Sequence, residues 1–108
     1  MMADRIAPLQ AQVGGPRDGA LLRFALGNAL LDAGRTAEAC DAFRAAVDFD
    51  PDYSAAWKLL GKAQLAREDL GAAAEAWQRG IDAAARRGDK QAQKEMQVFL
   101  RRLQKPRT

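Results

Sequence analysis

The chain repeats itself at an offset of 34 residues: Leu26-Gly27 falls on Leu60-Gly61, Ala29 on Ala63, Leu31 on Leu65, Ala39 on Ala73 and Ala42 on Ala76. Asp48 falls on Asp82, and similar residues meet at Phe43/Trp77, Val47/Ile81 and Asp41/Glu75. Large, small and acidic positions coincide at one offset, so the period marks a structural unit used twice. A period of this length describes a supersecondary unit that buries its apolar face only against a neighbouring copy.

Each unit reads as two helices. Leu22, Leu26, Ala29, Leu30 and Ala33 recur at three- and four-residue spacings, one face of a helix. Gly34 ends that helix, and the Thr36 hydroxyl is expected to cap the next. The second helix carries Ala39, Phe43, Ala46 and Val47 on one face and stops at Asp50-Pro51, because proline disfavours the helical region for the residue before it. The second unit repeats the pattern with Trp57, Leu60, Ala63 and Gln64, then Leu70, Ala73, Ala74, Trp77 and Ile81. Glycine inside a helix costs roughly 0.5–1 kcal/mol relative to alanine, so Gly27 and Gly61 need a packing reason. They are expected at the closest approach of the paired helices, opposite Ala39 and Ala73.

Residues 20–53 and 54–87 resemble tetratricopeptide repeats. The resemblance is carried by Leu26, Gly27, Ala39, Phe43, Ala46 and Pro51 in the first unit, and by Trp57, Leu60, Gly61, Ala73 and Trp77 in the second. Arg23 departs from the usual Trp, Leu30 and Gln64 from the usual Tyr, Glu68 from the usual inter-helix Gly and Ala85 from the usual Pro. The chain is similar to a small bacterial-type two-repeat member with capping helices. The resemblance implies an all-α fold, a right-handed α-solenoid of two helix-turn-helix units plus a C-terminal capping helix and a short N-terminal helix.

The flanks fit one domain over residues 1–108, with 1–19 as leading helix and linker and 88–108 as capping helix and basic tail. Ala92, Met96, Phe99, Leu100 and Leu103 form the capping stripe; Asp89 is its expected N-cap and Pro106 its end. Residues 3–12 are expected to form the leading helix through Ile6, Leu9 and Val13, broken at Gly14-Gly15-Pro16. Two repeats are marginal alone, so the caps or self-association must complete the core.

Little here supports catalysis. The chain has no histidine and one cysteine, Cys40, which removes His-based triads, His-ligated zinc, disulfides and Cys clusters. Cys40 has no base beside it in sequence and is expected to be a packed small residue. Gly14 to Gly19 has the glycine spacing of a phosphate loop, but Ala20-Leu21 follows where Lys and Ser/Thr are needed. Asp48, Asp50 and Asp52 alternate as in a calcium loop, yet Tyr53 and Leu59 hold the positions that require Gly and Glu. No enzyme activity, cofactor or metal is expected. The N-terminus lacks a signal-like apolar run and no stretch approaches membrane-spanning length, so the expected location is the cytoplasm.

In this family the first helix of each pair lines a concave surface. By register that surface would present Leu21, Phe24, Asn28, Leu31 and Asp32, then Ala55, Lys58, Lys62, Leu65 and Ala66, with Gln93 and Met96 closing one end. The expected function is an adaptor or scaffold that binds a peptide or helix of a partner protein, and the candidate groove residues are Phe24, Asn28, Leu31, Lys58, Lys62 and Leu65. Apolar anchors beside two lysines suit a segment carrying negative charge. The carboxylate clamp of one subfamily is disfavoured: Asn28 matches it, but Phe24 and Leu59 replace a lysine and an asparagine. An alternative assigns the basic residues 86–108, with 8 basic and 2 acidic groups, to nucleic acid or another anionic surface. It lacks interleaved aromatics, since Phe99 belongs to the packing stripe. Association into a homo-oligomer is a further possibility; a membrane partner is not expected.

Overall fold

The computed structural model describes residues 4–105, which form six helices and no strand. They are α1 (Ile6–Gln10), α2 (Ala20–Asp32), α3 (Thr36–Phe49), α4 (Ser54–Ala66), α5 (Leu70–Arg87) and α6 (Lys90–Gln104). Met1, Ala3 and Pro106, on which the signal-segment, leading-helix and helix-stop expectations partly rest, lie outside the described residues. No helix among the described residues is long and apolar enough to cross a membrane.

The helices pack in chain order. α2 lies on α3 and α4 on α5 as hairpins; α3 meets α4 and α5 meets α6 between hairpins; α1 covers α2, and α6 also reaches α4. The result is a helical solenoid, 44 Å along its longest axis.

The recurring interior glycines make room for aromatic rings. A Cβ on Gly27 would lie 2.5 Å from the Phe43 ring, and one on Gly61 would fall inside the Trp77 indole. The expected glycine notch is therefore filled by the large residue of the second helix, beside the buried Ala39 and Ala73. Each ring buried this way contributes roughly 2–3 kcal/mol. Trp77 Nε1 donates to the Lys58 carbonyl (3.1 Å) and Trp57 Nε1 to the Pro51 carbonyl (2.8 Å), so neither indole leaves a polar atom unsatisfied. Gly80 repeats the device where α6 packs on the second hairpin, and the Met96 thioether and Trp57 Cβ crowd it.

The helix ends follow the same register. Gly34 takes φ +76°, and the Gly34 and Arg35 amides return to the Leu31 and Leu30 carbonyls. The same bonds close α4 around Glu68, a non-glycine held at φ 61°. Asp89 caps α6 as expected, accepting from the Ala92 amide. Thr36 is not a cap. Arg35 fills that position because the Gly34 turn enters the helix one residue sooner, and the Arg35 carbonyl already accepts from the Ala39 amide. Asp69, at the matching place before α5, does cap through its carboxylate. Three other expectations change. α1 is shorter than 3–12 and leaves Val13 exposed; Ala33 lies past the end of α2 and is exposed; Leu70, in the first turn of α5, is exposed.

Candidate functional site

The six groove candidates divide between two junctions. On α2, Phe24 is half-buried against Tyr53, with ring centroids 4.8 Å apart, and against Phe43 at 5.9 Å. Asn28 and Leu31 follow on α2, both half-buried, and Leu31 packs on the core. Leu21, at the start of the same helix, is 74% exposed. On α4, Lys58 is half-buried and its ammonium donates to Glu95 Oε2 at 3.0 Å. Lys62 is exposed, with Nζ 4.9 Å from the centroid of the Phe99 ring. Leu65 completes the set on α4 and is exposed.

The α6 residues Glu95 and Phe99 thus belong to this surface, and sequence spacing gave no sign of them. Lys58 holds the Glu95 carboxyl below the usual carboxylate range, with Lys62 adding to the effect. Lys58 therefore already has a carboxylate, while Lys62 has an aromatic face beneath it and solvent around it. Met96, expected to close the groove, is instead fully buried under Gly80, because that glycine leaves a gap only a flexible thioether fills. Asp32 is engaged by Arg5 at 2.7 Å. Ala55 and Gln93 are half-buried, and Ala66 is exposed.

The acidic and basic clusters pair with each other. Arg87 binds Asp50 (2.7 Å) and Arg86 binds Asp52 (2.6 Å), joining the end of α5 to the turn before α4. Two of the three alternating aspartates therefore hold arginines, and two cations of the basic segment are already matched. Arg101 and Arg102 sit in the last turn of α6, where the helix dipole favours positive charge. Cys40 is fully buried, as expected, and both tryptophans are core residues.

A second concavity lies between α3, α4 and α5. It has a volume of about 230 Å³ and is lined by Arg44, Val47, Trp57, Leu60, Gln64 and Arg79, among others. Gln64 forms part of its floor. In the orientation its neighbours dictate, its amide nitrogen donates to the Ala72 carbonyl (2.8 Å) and its oxygen accepts from Arg44 Nη2 (3.3 Å). The Arg79 guanidinium lies 5.7 Å from the centroid of the Trp57 ring. Both arginines are thus already engaged with the protein's own groups.

A family profile described as tetratricopeptide repeat matches residues 20–63. A TPR repeat-containing protein of Pseudomonas aeruginosa is 55% identical over 91 residues, covering 84% of this chain and 87% of its own length. The solution structure of a protein from Bordetella parapertussis is 45% identical and superposes with a TM-score of 0.79, covering 94% of this chain and 89% of its own. That of a tetratricopeptide repeat domain protein from Salinibacter ruber is 26% identical, with a TM-score of 0.75 over 82% of this chain and 89% of its own.

Proposed function

Because the chain belongs to the tetratricopeptide repeat family, whose repeats generally mediate protein–protein interaction, we propose that it is a non-enzymatic adaptor that holds a peptide or helix of a partner protein against the concave face of α2 and α4. One observation carries this reading. Exposed Lys62, over the Phe99 ring, and exposed Leu65 stand on the same helix, while Leu21 is exposed on α2. A partner segment with apolar side chains and a carboxylate suits that combination. The carboxylate meets Lys62, since Glu95 occupies Lys58. Phe24, Asn28 and Leu31 form the α2 wall. The absence of histidine and the burial of the lone cysteine fit a role in holding rather than reacting. The reading places the protein in the cytoplasm.

Peptide-library binding tests it. Reversing one exposed charge exchanges an attraction for a repulsion, each of about 0.5 kcal/mol, so Lys62→Glu should weaken acidic–apolar peptides by about fivefold. Leu65→Asp should weaken them as well. Equal binding by the parent and both variants would remove this face from the mechanism.

A further inference from the structure

The concave face carries a carboxylate of its own. Lys58 and Lys62 stand four residues apart on α4, and Glu95 and Phe99 four apart on α6. They meet in order. Glu95 Oε2 accepts from the Lys58 ammonium at 3.0 Å, and the centroid of the Phe99 ring lies 4.9 Å from Lys62 Nζ. Residues four apart share a helix face, so α6 lays an acid and a ring along a stripe of two lysines. The acid matches the charge of Lys58. The ring offers exposed Lys62 a π-face but no opposing charge of its own.

Glu95 is not what fastens α6. Met96 is buried against Gly80, Ala92 is buried, and the capping Asp89 accepts from the Ser54 hydroxyl at 3.0 Å. The Lys58 and Glu95 side chains keep 24% and 35% of their surface exposed, so solvent and a partner both reach the pair. An ion pair open to water contributes little to stability, and exchanging one of its members costs little. A partner's acid directed at Lys58 nevertheless finds a carboxylate already seated there. One directed at Lys62 does not.

We propose that Glu95 sets the charge specificity of the concave face: by holding Lys58 it admits an apolar helical segment with one carboxylate, taken by Lys62, and refuses a second carboxylate one helical turn away. This role rests on the reading of α2 and α4 as a partner-binding face. The refusal is electrostatic. A second acid must either stand beside Glu95, where like charges repel, or displace it, which trades one Lys58 pair for another and leaves Glu95 unpaired. Specificity of this kind comes from a group placed against the wrong partner rather than from a new contact with the right one.

Three helical peptides with the same leucine stripe test this role by fluorescence anisotropy. They carry no glutamate, one glutamate, or two glutamates four residues apart, with glutamine in place of the missing acids. The parent should bind the one- and two-glutamate peptides within about twofold of each other, and both more tightly than the neutral one. Glu95→Gln should prefer the two-glutamate peptide to the one-glutamate peptide by about fivefold, because Lys58 is then free and half-buried. High salt should shrink that preference, and adding Lys58→Met to Glu95→Gln should abolish it. A loosened α6 would act on all three peptides alike. Equal tightening of all three by Glu95→Gln, an unchanged preference, a parent that already favours two glutamates, or a preference that survives Lys58→Met would each overturn the role of Glu95 and leave the binding face standing. Failure of the parent and Glu95→Gln to bind any of the three would remove the face and this role together.

Discussion

At the residue scale, the decisive contacts are those where a glycine admits a ring. Gly61 sits under Trp77, whose indole is fixed by its bond to the Lys58 carbonyl, so the ring cannot yield. Alanine at position 61 would gain roughly 0.5–1 kcal/mol of helix propensity and lose about 1–3 kcal/mol to overpacking. Gly61→Ala should therefore lower the urea midpoint; an unchanged or higher midpoint would contradict this packing. Glu68 presents the opposite case. It occupies the left-handed turn that Gly34 occupies one repeat earlier, at a steric cost of roughly 1–2 kcal/mol. Glycine relieves it and gives back part through unfolded-state entropy, so Glu68→Gly should raise stability by about 0.5–1 kcal/mol in the same assay. Both positions stand out in the repeat alignment. Thr36 shows where local reading fails, because capping depends on where the preceding turn releases the chain, and Gly34 releases it at Arg35.

At the element scale, the link between α1 and α2 is organised by one carboxylate. Asp18 accepts from the Gly14 and Gly19 amides (2.8 and 2.9 Å) and from both prongs of the Arg23 guanidinium (2.8 and 2.9 Å). Arg23 first, and the Gly14 amide next, hold its carboxyl well below the usual carboxylate range. A depressed folded-state pKa stabilises the fold above the unfolded pKa of about 3.9, and that stabilisation is lost as pH falls toward the folded value. Asp18→Asn should thus lower the melting temperature at pH 7. The gap from the parent should begin to close only below about pH 4. A gap that stays constant into strong acid would show that this carboxylate is not the cause. Arg23 stands where the family usually has tryptophan, and its unusual identity was visible in the alignment. Its partner was not, because Asp18 lies in a glycine-rich linker whose path only the turn geometry sets.

At the scale of the whole molecule, α6 closes the second hairpin by packing on both α5 and α4, and α3 against α4 joins that hairpin to the first. Met96 is buried against Gly80 beside Trp57, and Lys58–Glu95 and Ser54–Asp89 tie α6 to α4. Solenoid stability is a sum of neighbour interfaces, so weakening the last one is felt along the array. Met96→Ala should cost about 2–5 kcal/mol and shift a single unfolding transition by calorimetry. Two separate transitions would show that α6 melts independently. The ion pairs Arg86–Asp52 and Arg87–Asp50 add a second, exposed link between neighbouring hairpins, worth little each in water.

Period, helix pairing, the capping helix and the buried tryptophans were legible in the amino-acid order, because a one-dimensional repeat writes its packing into spacings of three, four and 34 residues. The contacts that tie α6 to α4 or bridge the two hairpins were not. Lys58 with Glu95, Lys62 with Phe99, and Asp50 and Asp52 with Arg87 and Arg86 join residues separated by no helical spacing. Which charges pair depends on the angle at which one hairpin settles on the next, and folded packing sets that angle.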